Sequence, residues 1–264
     1  KKLTPDDIKG ECLTLYEKGI RNILILTGES IRHSPVSCIK EAVVIAGNFF
    51  PNIALEVYPL ETDEYRDLFV SGADGVTLYQ ETYDRRRYAE LHLAGRKRDY
   101  DYRYHAPERM AEAGIRHISL GVLLGLSDWH NDVPSLFEHL RWLERRYPGV
   151  EYSLSFPRLQ KISYDDHQYF TITDADMLKL ICTARLLFPR VSINLSTRES
   201  ASFRDSVFEF GVTRMSAGSS TKVGGYVHRE IDERNGQFHV NDTRSLDEIK
   251  AMLVRKGFDP VITD

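Results

Sequence analysis

Nearly continuous apolar runs alternate along the chain with segments whose apolar residues recur at helical spacing. The first unit sets the pattern. Thr4, Pro5 and Asp7 predict a helix N-cap with proline at the first helical position, and Ile8, Cys12 and Leu15 supply a buried stripe. Gly19 ends that helix, and the strand RNILILTGE (21–29) follows at once. The same grammar recurs in ETDEYRDLFVSG leading to ADGVTLYQE, and in PERMAEAG leading to IRHISLGVLLG. In each, glycine stands where a helix C-terminus calls for left-handed backbone.

Further strands are expected at 53–59, 151–158, 192–199 and 213–219. Helices are expected over Pro134 to Arg146, Thr173 to Phe188 and Phe203 to Phe210, and Ser245 with Glu248 forms a capping box for a last helix ending at Gly257. Such apolar strands suit a parallel sheet buried on both faces. The seven βα units predict an α/β fold, a TIM-type (βα)8 barrel lacking its first strand and the loop after it. A doubly wound open sheet is the alternative, weakened by the lack of a Gly-rich turn after any strand. One domain is expected over 1–264, its part after about residue 160 completing the barrel and carrying a terminal helical segment.

Composition narrows the class. At 264 residues and 42% apolar the chain can bury a large core, and its net charge of −4 gives no footprint for nucleic acid. The GRKRD run (95–99) and Arg85 to Arg87 read as solvated surface. No apolar stretch approaches the roughly 20 residues of a membrane span, so a cytoplasmic protein is the expectation. The chain starts at Lys1 within a helix start, which suggests that an upstream part exists. Cys12, Cys38 and Cys182 lie far apart, which argues against a disulfide scaffold, a zinc ribbon or a self-contained iron–sulfur motif. Cys12 and Cys182 are expected in the core.

Polar residues gather where the strands end. GVTLYQETYD (75–84) runs from Val76 and Leu78 straight into Gln80 and Glu81, and a barrel places such residues at its open face. Other strand ends bring Gly28 and Glu29, Glu56, Arg158, Arg198, Ser216 and Ser219. Folding alone does not require charges at so many strand ends. The arginines suit a carboxylate, and the glutamates suit an ammonium or ribose hydroxyls. No lysine ends a strand, which leaves a Schiff-base aldolase without a nucleophile, and the histidines lack ligand spacing. The loop SAGSSTKVGGY (216–226) has the glycines and hydroxyls of a phosphate site.

Taken in order, LTGE, EVYPL, GVTLYQETYD, GLSDW, SFPRL, LSTRES, SAGSST with GGY, and DTRSLDEI resemble the radical S-adenosylmethionine (SAM) tyrosine lyases. That family has a thiamin-biosynthesis branch and an iron-iron hydrogenase-maturation branch, and the resemblance spans the whole chain. It implies a barrel that holds SAM and a 4Fe-4S cluster and cleaves the Cα–Cβ bond of tyrosine to dehydroglycine and a p-cresol species. It implicates Gly28 and Glu29 at the methionyl end of SAM, and Gly121, Leu123 and Gly125 against adenine. Glu56, Gln80 and Glu81 would contact SAM ribose or an amino acid. Arg198 and Ser216 would clamp the tyrosine carboxylate and amine, with Arg158 as second candidate and Ser219 beside them. In the thiamin branch a thiazole synthase is the implied partner.

The chain also departs from the family. The CxxxCxxC loop that ligates the cluster is absent, so the cluster's ligands are expected outside this chain, which alone would be inactive. A cluster-free barrel that binds SAM or an amino acid without catalysis is the alternative, and a phosphate-binding barrel enzyme a further one. After SFPRL the chain continues with Gln160, Lys161 and Ile162 where relatives commonly have Arg-Pro. The ending GFDPVITD has no cysteine where the hydrogenase branch would begin its second cluster motif, which favours the thiamin branch.

Overall fold

The structure is a computed structural model and describes residues 2–160, 169–227 and 239–262. Lys161 and Ile162, two of the departures named above, lie outside the described residues. Among those described, seven parallel strands form one sheet in chain order: β1 (Asn22–Leu26), β2 (Asn52–Glu56), β3 (Gly75–Glu81), β4 (His117–Val122), β5 (Glu151–Ser155), β6 (Ser192–Leu195) and β7 (Arg214–Met215). The sheet curls into a TIM-type partial barrel, and no ladder among the described residues joins β7 to β1. Around it run α1 (Pro5–Glu17), α2 (Val36–Ala46), α3 (Thr62–Val70), α4 (Arg85–Leu91), α5 (Tyr100–Tyr104), α6 (Ala106–Ala113), α7 (Trp129–Arg146), α8 (Asp174–Leu187), α9 (Ala201–Val207) and α10 (Leu246–Arg255).

The local signals act as their chemistry requires. Thr4 and Asp7 close a capping box on α1, and Ser245 and Glu248 close one on α10. Gly19, Gly72 and Gly114 follow their helices with φ of +82°, +113° and +95°. Several spans differ from expectation: the strands expected at 21–29, 53–59, 151–158 and 192–199 end at Leu26, Glu56, Ser155 and Leu195. Helix α7 begins five residues before Pro134, because Asp128 caps it by accepting from His130 N at 3.0 Å. Strand β7 is only two residues long, since the chain turns away at Ser216 to meet Arg204 and Arg244.

Parallel pairing in register puts partners on one face, and the two faces of this sheet differ in chemistry. The ladders align Leu55, Val76 and Ile118, then Leu120, Leu154 and Ile193, all buried in the core that Leu68, Met110, Leu136 and Leu180 of the helices complete. The opposite, inner face carries Glu56, Thr77, Ser119, Ser153 and Ser192 in one row and Tyr79, Gly121, Ser155, Asn194 and Arg214 in the next. Both faces are largely buried, but the inner one is polar. It is bonded laterally in part: Asn194 Nδ2 lies 3.1, 3.0 and 3.2 Å from the hydroxyls of Ser119, Ser153 and Ser155, while its Oδ1 is buried without a partner among the described residues. Cys12 is buried, whereas Cys182 is only half-buried, on a stripe less deep than its sequence suggests.

Candidate functional site

The C-terminal ends of the strands collect an ion-pair cluster centred on Glu81. Strand β3 bulges between Tyr79 and Glu81, and Glu81, alone among the described non-glycine residues, has positive φ, at +72°. Such backbone costs about 1–3 kcal/mol and persists where surrounding contacts fix it. Here Lys97 Nζ reaches Glu81 Oε1 at 2.6 Å and Arg103 Nη2 reaches it at 3.3 Å. Arg103, almost fully buried on α5, also donates through Nε to Tyr79 O at 2.7 Å and through Nη1 to Glu29 Oε1 at 2.8 Å. Burial pushes the Glu81 carboxyl up, but Lys97 and Arg103 outweigh it and hold its pKa below the ordinary value. The ends of β1 and β3 are thereby tied through one guanidinium.

Glu56 ends β2 on the inner face and is differently placed. Among the described residues its carboxylate makes no hydrogen bond. Burial, and then the neighbouring Glu81 anion, push its pKa up to about 7, against the partial offset of Arg198, Arg103 and Lys97. Gln80 is separated from both. Its side chain points to the helix side, with Leu78, Tyr83, Pro107 and His139, and its Nε2 is buried without a partner among the described residues.

Gly28 is exposed, and an added Cβ there would meet nothing within 4 Å, while the Thr27 hydroxyl beside it is buried without a partner among the described residues. Gly121 is packed so tightly that a Cβ would lie 2.2 Å from Ser155 O and 2.7 Å from the Tyr79 ring. Leu123 N donates to Glu81 O at 2.9 Å, and Gly125 O accepts from Phe170 N at 2.9 Å. Leu123 thus borders Glu81 directly, while Gly121 packs on Tyr79 and Gly125 on Leu159 and Phe170.

The arginines divide. Arg158 is held by Glu199 through Nε at 3.0 Å and through Nη2, by Asp174 at 2.7 Å, and lies over the Phe203 ring. It braces the wall of the site. Arg198 is half-buried and shares a field with Glu56, Glu81 and Tyr79; burial lowers its pKa from the ordinary value despite those groups. Ser216 and Ser219 follow β7, and Ser216 O accepts from Arg204 Nη2. The residues 239–245 stitch this side together. Asn241 N donates to Thr197 O at 2.9 Å and its Nδ2 to Arg198 O at 2.6 Å, while Asp242 pairs with buried Arg204 and with Arg244.

Lys97 belongs to the GRKRD run expected on the surface, and neither it nor Arg103 stands at a strand end in the sequence. Lys97 instead enters the cluster because the short helix after it folds back over the strand ends, a return that a charge run does not disclose. In the 216–226 loop Gly218 N donates to Arg244 O at 2.9 Å, Ser220 N to the Tyr226 hydroxyl at 2.9 Å and Tyr226 N to Glu11 at 3.0 Å. The mouth carries a mixed-sign rim of Glu29, Glu56, Glu81, Lys97, Arg103 and Arg198. A 4Fe-4S cluster does not fit the described residues, none of whose His, Cys, Asp and Glu groups could hold a metal ion.

The 2-iminoacetate synthases of Salmonella typhimurium and Escherichia coli are 36% and 37% identical over 267 aligned residues, covering all of this chain and 70% of each relative. The chain belongs to the radical SAM tyrosine lyase family. Residues 155–259 of the chain also match the Biotin and Thiamin Synthesis associated domain. Its fold superposes on HydG, a maturase of the FeFe-hydrogenase, with a TM-score of 0.92 and 33% identity, and on HydG from Carboxydothermus hydrogenoformans with 0.91 and 31%. The chain covers 59% and 61% of those two. Methylornithine synthase shares the fold at a TM-score of 0.66 and 22% identity. As a radical SAM lyase the enzyme uses SAM and a 4Fe-4S cluster, with cluster ligands that Cys12, Cys38 and Cys182 do not supply.

Proposed function

We propose that this tyrosine lyase cleaves the Cα–Cβ bond of L-tyrosine to 2-iminoacetate (dehydroglycine) and p-cresol, for the thiazole of thiamin. The observation that carries the reading is identity over the full chain to two 2-iminoacetate synthases. A hydrogenase-maturation role is the second reading, favoured by the HydG structures at 33% and 31% identity.

SAM and a 4Fe-4S cluster, when bound by the protein, would supply the radical chemistry. The chain's own residues hold the reactants in register and keep water away. Glu29 and Glu81, fixed by Arg103 and Lys97, form the SAM side of the mouth, with Gly28 leaving room at the β1 edge and Gly121, Leu123 and Gly125 toward adenine. Arg198 receives the tyrosine carboxylate through its planar fork, and Ser216 and Ser219 line the same end. Arg158 acts through Glu199 and Asp174, bracing the loop that carries Arg198. The 264 residues work as one barrel unit, in the cytoplasm, with a thiazole synthase as the consumer of a short-lived imine.

Calorimetry on the full-length protein tests the substrate side. Arg198→Ala is expected to weaken tyrosine binding by more than about tenfold, the scale of a lost charged hydrogen bond, with SAM binding little changed. Equal losses of both ligands would contradict the clamp.

A further inference from the structure

An amino-acid zwitterion needs a cation for its carboxylate and an anion for its ammonium. Arg198 is the cation in the reading above, so the anion must be one of the carboxylates at the mouth. Glu81 is committed to Lys97 and Arg103, Glu29 to Arg103, and Glu199 to Arg158. Only Glu56 remains with its carboxylate unbonded among the described residues, on the inner face and within the field of Arg198. An uncommitted carboxylate in a half-buried site is costly to keep for folding alone.

We infer that Glu56 receives the α-ammonium of the substrate, opposite the Arg198 that takes its carboxylate. This rests on tyrosine being the substrate, and it separates Glu56 from the SAM ribose role open to it in the sequence. The charged and titratable groups facing Glu56 are Glu81, Arg198, Arg103, Lys97 and Tyr79. In the free site the carboxyl holds its proton below about pH 7 and loses it above. The ammonium favours the carboxylate, so tyrosine affinity rises as pH increases through that value.

The test is calorimetry on full-length, cluster-loaded protein with three probes: L-tyrosine, 3-(4-hydroxyphenyl)propanoate, which lacks the amine, and SAM. Glu56→Gln is expected to weaken tyrosine by at least about tenfold at pH 8 and to abolish the rise in its affinity between pH 6 and 8. The amine-free acid and SAM should bind as before, and Glu56→Asp should recover part of the loss. Asp at this position also carries the comparison if the Gln variant does not fold. A loss falling on SAM, an equal loss for the amine-free acid, or unchanged tyrosine affinity would overturn the assignment. Wild-type protein that binds no tyrosine would overturn the lyase reading as well.

Discussion

Gln80 and Glu81 are neighbours in sequence and face opposite sides of the sheet. One side chain enters the helix layer beside His139, while the other, turned by a positive φ, meets Lys97 and Arg103. The motif alone marks both as strand-end polar groups, because alternation separates their faces without disclosing what each side chain meets there. Gly121 is the converse case, a residue whose role follows from what it lacks. Gly121→Ala would force a methyl into Ser155 O and the Tyr79 ring, and should destabilise the barrel by at least about 1–3 kcal/mol, read by urea denaturation. A neutral result would mean that the β4–β5 ladder is looser than its contacts indicate.

At the scale of elements, strands and capped helices were legible because local chemistry fixes them: Thr4 with Asp7, Ser245 with Glu248, and glycine after the helices. Helix α2 has no local start signal, lacking a side-chain cap at Pro35, and the folding back of α5 over the mouth depends on tertiary contacts through Arg103. The polar tail segment DTRSLDEI looked like a helix start and is also a clasp. Its Asp242 lies buried against Arg204, which in turn holds Ser216 O, while Asn241 before it holds Arg198. Burial pushes the Asp242 carboxyl up, but Arg244 and Arg204 bring it down to about 2. The clasp therefore contributes stability above the ordinary carboxylate range and loses it as pH falls through about 2. Asp242→Asn leaves Arg204 buried with its charge uncompensated and should cost about 3–5 kcal/mol in chemical denaturation. A loss below about 1 kcal/mol would show the pair to be dispensable.

At the scale of the whole molecule, seven parallel strands curl around a polar inner face, with the acidic and basic groups gathered at the C-terminal rim. The fold was legible from repeated βα units. The chemistry was legible only through the order of motifs, since the rim's charges are drawn from segments far apart in sequence, Glu29, Glu56, Glu81, Arg103 and Arg198 among them. Cys12, Cys38 and Cys182 do not assemble a metal site among the described residues. The most direct measurement is to load the full-length protein anaerobically and supply SAM, a one-electron reductant and L-tyrosine, following both products by chromatography. Formation of p-cresol together with 5'-deoxyadenosine is the predicted result; SAM cleavage to 5'-deoxyadenosine with no p-cresol would contradict it.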